Sequence, residues 1–291
     1  MTLTVVAAPS VDQVKGRRRA WWRRHLSIVI GASLLALAFG AAILAPWLGT
    51  QDPMALSPIR RLRMPSEQFW FGTDQLGRDL YSRVIYGARA SLFVGFAVAT
   101  AAVLSGLFFG MISGFSRWVD AILMRIMDGL MSIPSVLLAI ALMALTKASL
   151  GNVILAIAIA EVPRVTRLVR GVVLGLREQP FIEAAIASGT STVMILVRHI
   201  LPNTIAPLLV QATYICASAI ITEAILSFIG AGLPPSIPTW GNIIADGRAV
   251  FQIRPHLILI PAAFLSVTVL AINLLGDGLR DALDPRLARQ M

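Results

Sequence analysis

The chain has 291 residues, of which 57% are hydrophobic and only 14% charged, with a mean hydropathy of +0.78. A soluble domain carries about 25% charged residues, so this composition excludes an ordinary soluble protein and points to a polytopic membrane protein. The formal charge of +10 would suggest nucleic acid in a soluble chain, but the basic residues cluster at the ends of apolar runs, as the positive-inside bias requires, and no nucleic-acid partner is expected.

Residues 1–25 are polar and basic, with Lys15, Arg17, Arg18, Arg19, Arg23 and Arg24 around Trp21 and Trp22. The 23 uncharged residues that follow, 26–48, are too long for a signal-peptide core and rise about 35 Å as a helix, enough to cross a bilayer. They are expected to form an uncleaved first span with a cytoplasmic N-terminus. Residues 49–89 are a polar loop in which Gly77 and Asp74 predict a turn before a short helix, and Asp74, Arg78 and Asp79 form a charged group. No His, Ser or Cys partner is placed to make that group catalytic, so it is read as a loop brace or gate.

The 27 uncharged residues between Arg89 and Arg117 predict a second span. A third, 121–146, carries Arg125 and Asp128 near its start and is expected to kink at Pro134. The fourth is less marked. Only 13 uncharged residues separate Lys147 from Glu161, and adequate length requires a helix that takes in Glu161, Arg164, Arg167 and Arg170. Those arginines share one broad face, and Glu161 is expected to pair with Arg164 or Arg167.

Residues 177–203 interrupt the apolar pattern. Pro180 opens a helix with Phe181, Ile182, Ala185 and Ile186 on one face and Glu183 in its first turn, and Gly189 breaks it. A second amphipathic piece, 193–200, carries Arg198 and His199 and is expected to stop at Pro202 and Asn203. Shape alone fits either an amphipathic loop on the membrane surface or a compact elbow.

A fifth span, 205–229, contains Glu223 near its end, read either as structurally paired or solvated at the helix end, or as part of a path or gate. The turn-rich loop 230–256 is expected to hold a short surface helix after Trp240. A sixth span, 257–276, precedes a polar tail, 278–291. The expected fold is thus all-α with six transmembrane helices, the last five forming a core over 90–277. On that topology 16 basic residues fall on the side of the termini and 9 on the other, favouring cytoplasmic termini. Cys216 lies in an apolar run and reads as a small buried residue. His25, His199 and His256 form no spaced ligand set, so no metal site is expected. No G-x4-G-K-[ST] occurs, so the chain is not expected to hydrolyse ATP.

Glu183-Ala184-Ala185, Gly189 and Leu201-Pro202 resemble the EAA motif of the membrane subunits of binding-protein-dependent ABC importers. His199 stands where the motif has isoleucine, and Arg198 to Asn203, RHILPN, is similar to the peptide and nickel branch. Gly72-Thr73-Asp74 with Gly77-Arg78-Asp79, and Glu223 with Leu226-Ser227-Phe228, Gly230, Pro235, Pro238 and Trp240-Gly241, resemble the C-type subunits of that branch. The resemblance, over about residues 26–285, implies a type I permease fold and a non-enzymatic transport subunit of the bacterial inner membrane. The 177–203 loop would be a cytoplasmic coupling element: Glu183, Ala184, Ala185, Gly189, Arg198, His199 and Pro202 would dock an ATPase. Asp74, Gly77, Arg78, Asp79, Glu223 and Trp240 would belong to periplasmic loops or a gate. Implied partners are a B-type permease, two ATPase chains that carry ATP and Mg, a periplasmic or lipid-anchored binding protein, and membrane lipid. The chain itself would hold no cofactor. Di- or oligopeptides are the implied substrates, with glutathione or nickel as alternatives, and an ion-gradient-driven secondary transporter is the rival class. At Glu161 to Arg164 the chain departs from many relatives, which carry a tryptophan and a glycine nearby.

Overall fold

A computed structural model describes residues 25–283; the basic N-terminus with Trp21 and Trp22 and the last eight tail residues lie outside the described residues. Helix α1 (Leu26–Leu44) runs into a short 3-10 turn, Ala45–Trp47. After the polar loop come α2 (Leu80–Phe115), α3 (Arg117–Met131), α4 (Ser135–Ala144) and α5 (Leu150–Arg177). Two short helices, α6 (Pro180–Ala187) and α7 (Thr192–Ile195), lead to α8 (Leu201–Ile229), then α9 (Trp240–Gly247) and α10 (His256–Leu283).

The first difference from expectation is at α2. Its N-cap is Asp79, whose side chain accepts from the Ser82 amide, so the expected short helix and the second span are one helix of 36 residues. At about 54 Å it outreaches a hydrocarbon core of about 30 Å. Arg83 and Arg89 lie inside it because each finds acceptors: Arg83 Nη1 meets Asp74 and Asp246, with its Nη2 buried and unpaired, and Arg89 meets the Ala42 and Ile43 carbonyls that α1 leaves open at its end.

The third segment does more than kink. Its two halves, α3 and α4, are bent by 89° around Ser132, Ile133 and Pro134, since proline removes an amide and disfavours helix in the residue before it. Length and hydropathy alone do not reach the six expected spans. Among the described residues four helices are long and apolar enough to cross a membrane, or five if the bent pair is one span. The shortfall is α5, a single helix of 28 residues in which Glu161 and four arginines lower the hydropathy.

Helix α5 packs along α2 in parallel. Gly106, Gly110 and Gly114 of α2 lie against Val165, Val169 and Val173, four residues apart in both helices. A Cβ at Gly110 would come within 2.6 Å of the Val169 Cβ and 2.8 Å of the Thr166 carbonyl, so the backbones approach as small residues permit. Helix α8 runs antiparallel to α2, with Ile220 and Cys216 at Gly95 and Leu209 level with Val103 and Leu104. Cys216 is buried there, as its apolar run suggested. Helix α10 lies against α1 and α8, with Gly276 at Thr213 and Gly278 at Ser27 and Ile28. The start of α1, the ends of α2, α5 and α10, and the α6–α7 segment therefore share one end of the bundle. The starts of α2 and α10, the end of α8, and α9 share the other.

Candidate functional site: an elbow and an opposing ion cluster

At the first end, α5 turns into the elbow. Arg177 donates to the Gly114 carbonyl at 2.9 Å and to that of Phe115 at 3.2 Å, and stacks over the Phe115 ring, tying the start of the elbow to the end of α2. Pro180 takes the first position of α6, and Glu183 lies in its first turn, both favoured at a helix N-terminus. Gly189 has φ +79°. Its amide donates to the Ile186 carbonyl at 2.9 Å and the Thr190 amide to that of Ala185 at 3.0 Å, a Schellman stop that needs a left-handed residue at that place. Ser191 then caps α7, its side chain accepting from the Met194 amide.

Ile182, Ile195 and Ile200 point inward and are buried, while Phe181, Ile186, Val193, Met194 and Val197 are exposed. Glu183, Ala184 and Arg198 are exposed with them. Phe181 and Ile186 on α6, Val193 and Met194 on α7, and Val197 in the turn after it thus expose large apolar side chains at the elbow, and exposed apolar area of this kind marks a contact site. His199 packs its ring against Phe181 at 6.2 Å between centroids, so it braces the two halves of the elbow.

The second piece was expected to stop at Pro202; it does not. A π-helical turn, Leu196–Ile200, joins α7 to α8, and Thr192–Ile229 form one helix of 38 residues. The widened turn accommodates the missing proline amide, and the Asn203 side chain donates to the His199 carbonyl at 2.6 Å. The elbow is thus rigidly continuous with α8 and joined to α5 by Glu178 and Gln179.

At the other end Asp74, Arg78 and Arg83, all buried, form an ion cluster with half-buried Asp246. Arg78 Nε lies 2.6 Å and Arg83 Nη1 2.7 Å from Asp74 Oδ2, and Asp246 Oδ2 takes Arg78 Nη2 at 2.8 Å and Arg83 Nη1 at 2.9 Å. The cluster joins the loop before α2 to the end of α9. Gly77, at φ +76°, makes the tight turn inside it. Asp79 stands beside the cluster as the α2 cap. Arg83 and Asp246 were not picked out from sequence: Asp246 is 163 residues from Arg83, and no local spacing links them. Trp240 is buried, its amide donating to Ser91 Oγ and its indole Nε1 to the Val84 carbonyl, both at 3.1 Å. The expected surface helix after Trp240 is therefore α9 seated in the bundle, because Trp240, Gly241 and Ile243 all face inward.

Glu223 is fully buried, so solvation at the helix end is excluded. Its Oε1 accepts from Ser227 at 2.8 Å and from Thr239 at 2.9 Å, and Thr239 Oγ1 in turn caps α9. Glu161 pairs with Arg164 at 3.0 Å, while Arg167 and Arg170 pair with Asp128 and Asp120 of α3. Among the described residues no group of three or more His, Cys, Asp or Glu side chains could hold a metal ion.

Residues 106–289 match the family described as binding-protein-dependent transport system inner membrane component. A probable peptide ABC transporter permease protein of Sinorhizobium fredii is 54% identical, with 92% of each chain covered. A dipeptide transport system permease protein of Alkalihalophilus pseudofirmus is 44% identical, over 91% of this chain and 88% of that one. A glutathione transport system permease protein of Salmonella typhimurium is also 44% identical, over 95% and 93%. Among solved structures, the inward-facing methionine ABC transporter shares the fold at 20% identity and a TM-score of 0.54, covering 69% of this chain and 96% of that one. An all-helical fold shared with an ABC transporter, and a family match over more than half the chain, agree with the motifs. The chain belongs to the family of binding-protein-dependent transport system inner membrane components.

Proposed function

We propose that the chain is one of two permease subunits of an ATP-driven peptide importer and forms half of the translocation path across the bacterial inner membrane. Six spans are assigned: α1, α2, the bent pair α3–α4, α5, α7 with α8, and α10. The bias in basic residues puts the elbow end on the cytoplasmic side and the ion cluster on the periplasmic side. A homologous permease completes the path, and a binding protein delivers substrate to the α9 end. Two ATPase subunits, which carry ATP and Mg, dock on the elbows. A rival driven by an ion gradient would need free carboxylates at mid-depth, but Glu161 is held by Arg164 and Glu223 lies near the end of α8 rather than at its middle, and family membership points to an ATP-driven importer. Glutathione is a second reading for the substrate, since the glutathione transport system permease protein is as similar to the chain as the dipeptide one.

The observation that carries this reading is the elbow. Its apolar side chains face outward, its turn depends on Gly189, and it is welded to α8 at one side and clamped to α2 at the other. Closure of an ATPase pair pushing on Ala184 and Ala185 would tilt α5 and α8 together. In proteoliposomes holding the full complex, Glu183→Lys and Gly189→Val are expected to abolish ATP-dependent peptide uptake, the latter because a β-branched residue does not adopt φ +79°. Uptake that survives both changes with the ATPases still bound would contradict the coupling role.

A further inference from the structure

Arg164 stands at a depth where an arginine is costly. Its neighbour Val165 faces Gly106 of α2, three residues from the centre of the uncharged run 90–116. Along its own helix it lies about 21 Å from the start of about 42 Å. Both measures put it near mid-membrane. Its side chain is nevertheless 53% exposed, on the face that carries exposed Leu155, Ile159 and Arg167, while α2, α4 and α8 cover the rest of α5. A guanidinium at that depth faces a water-filled cavity or a polar partner, not acyl chains.

Its surroundings are built to hold it there. Glu161, 3% exposed, takes Arg164 Nη1 at 3.0 Å. That contact occupies one nitrogen and leaves the outer edge of the guanidinium for another acceptor. Arg167 and Arg170, nearer the elbow, are instead tied to a neighbouring helix through Asp128 and Asp120.

We propose that Arg164, oriented by Glu161, lines the translocation path and is its specificity-determining contact, taking the terminal carboxylate of the peptide in transit. The identity of the ligand rests on the importer reading above. The planar fork of a guanidinium matches a carboxylate with two parallel hydrogen bonds. Glu161 neutralises much of the charge, so the contact is strong enough to draw a carboxylate in and weak enough to release it, as conduction requires.

The test uses the reconstituted complex in which Cys216→Ser removes the one native thiol of this chain. With Arg164→Cys added, a membrane-impermeant thiosulfonate is expected to modify residue 164 in the nucleotide-free or the ATP-trapped complex. A cysteine inert in both states overturns the placement. In parallel, Arg164→Gln is expected to lower peptide uptake per ATP hydrolysed about tenfold at saturating loaded binding protein, the loss of one charge-assisted contact, and Arg164→Lys, which keeps the charge but not the fork, to lose less. Uptake per ATP equal in wild type and both variants overturns the carboxylate contact, as does an equal loss in both variants. If wild-type complex takes up no peptide while Arg164→Cys is still modified, it is the importer reading that fails and not the placement in the path.

Discussion

Arg83 is 1% exposed, a position that an arginine keeps only when its charge is met. Asp74 and Asp246 meet it, and Arg78 completes a neutral group of four. Replacing Arg83 with methionine preserves bulk but leaves Asp74 and Asp246 sharing Arg78, and breaking a buried pair this way costs about 3–5 kcal/mol. The expected outcome is a clear drop in thermal unfolding temperature in detergent; an unchanged transition would show that the cluster contributes nothing to stability. Half of this group was legible in the sequence, because Asp74 and Arg78 lie four residues apart beside Gly77. The other half was hidden: Arg83 reads as one more basic residue ahead of an apolar run, and Asp246 lies on α9, which only the folded bundle brings near. Glu223 illustrates the same limit, since Thr239, which buries and binds it, is 16 residues away across a turn.

The elements were legible where a helix is both long and apolar. Helices α1, α2, α8 and α10 follow from uncharged runs, although three of them extend past those runs, because capped or ion-paired charges such as Asp79, Arg83 and Asp277 are admitted at helix ends. Helix α5 was the difficult one. Its arginines find acids on α3 and on its own preceding turn, pairings that hydropathy does not register. The continuity through Pro202 was not foreseen either, since a π-helical turn leaves no distinctive spacing. Packing of α2 on α5 depends on three glycines, and Gly110→Val would force a branched side chain into the Val169 and Thr166 contacts. Overpacking of this kind costs about 1–3 kcal/mol, so the variant is expected to unfold at lower temperature, whereas Gly129→Ala, at an open position, is expected to leave the transition unchanged. Equal transitions for the two would contradict the close α2–α5 approach.

In the whole molecule, the two ends of the bundle are built differently. One end presents an apolar elbow continuous with α8 and clamped to α2. The other gathers the loop before α2, the end of α8 and α9 into one ion-paired and hydrogen-bonded block. A displacement imposed on the elbow is then carried by stiff helices with few soft joints, which suits rigid-body rocking of the bundle. The importer proposed above requires that the elbow face the cytoplasm and be covered by an ATPase. This is tested most directly with Ala184→Cys in a Cys216→Ser background, labelled by an impermeant thiol reagent in membrane vesicles of defined orientation. The predicted result is labelling only in inside-out vesicles stripped of the ATPase, with protection when the ATPase is restored; labelling of right-side-out vesicles, or labelling unaffected by the ATPase, would contradict it.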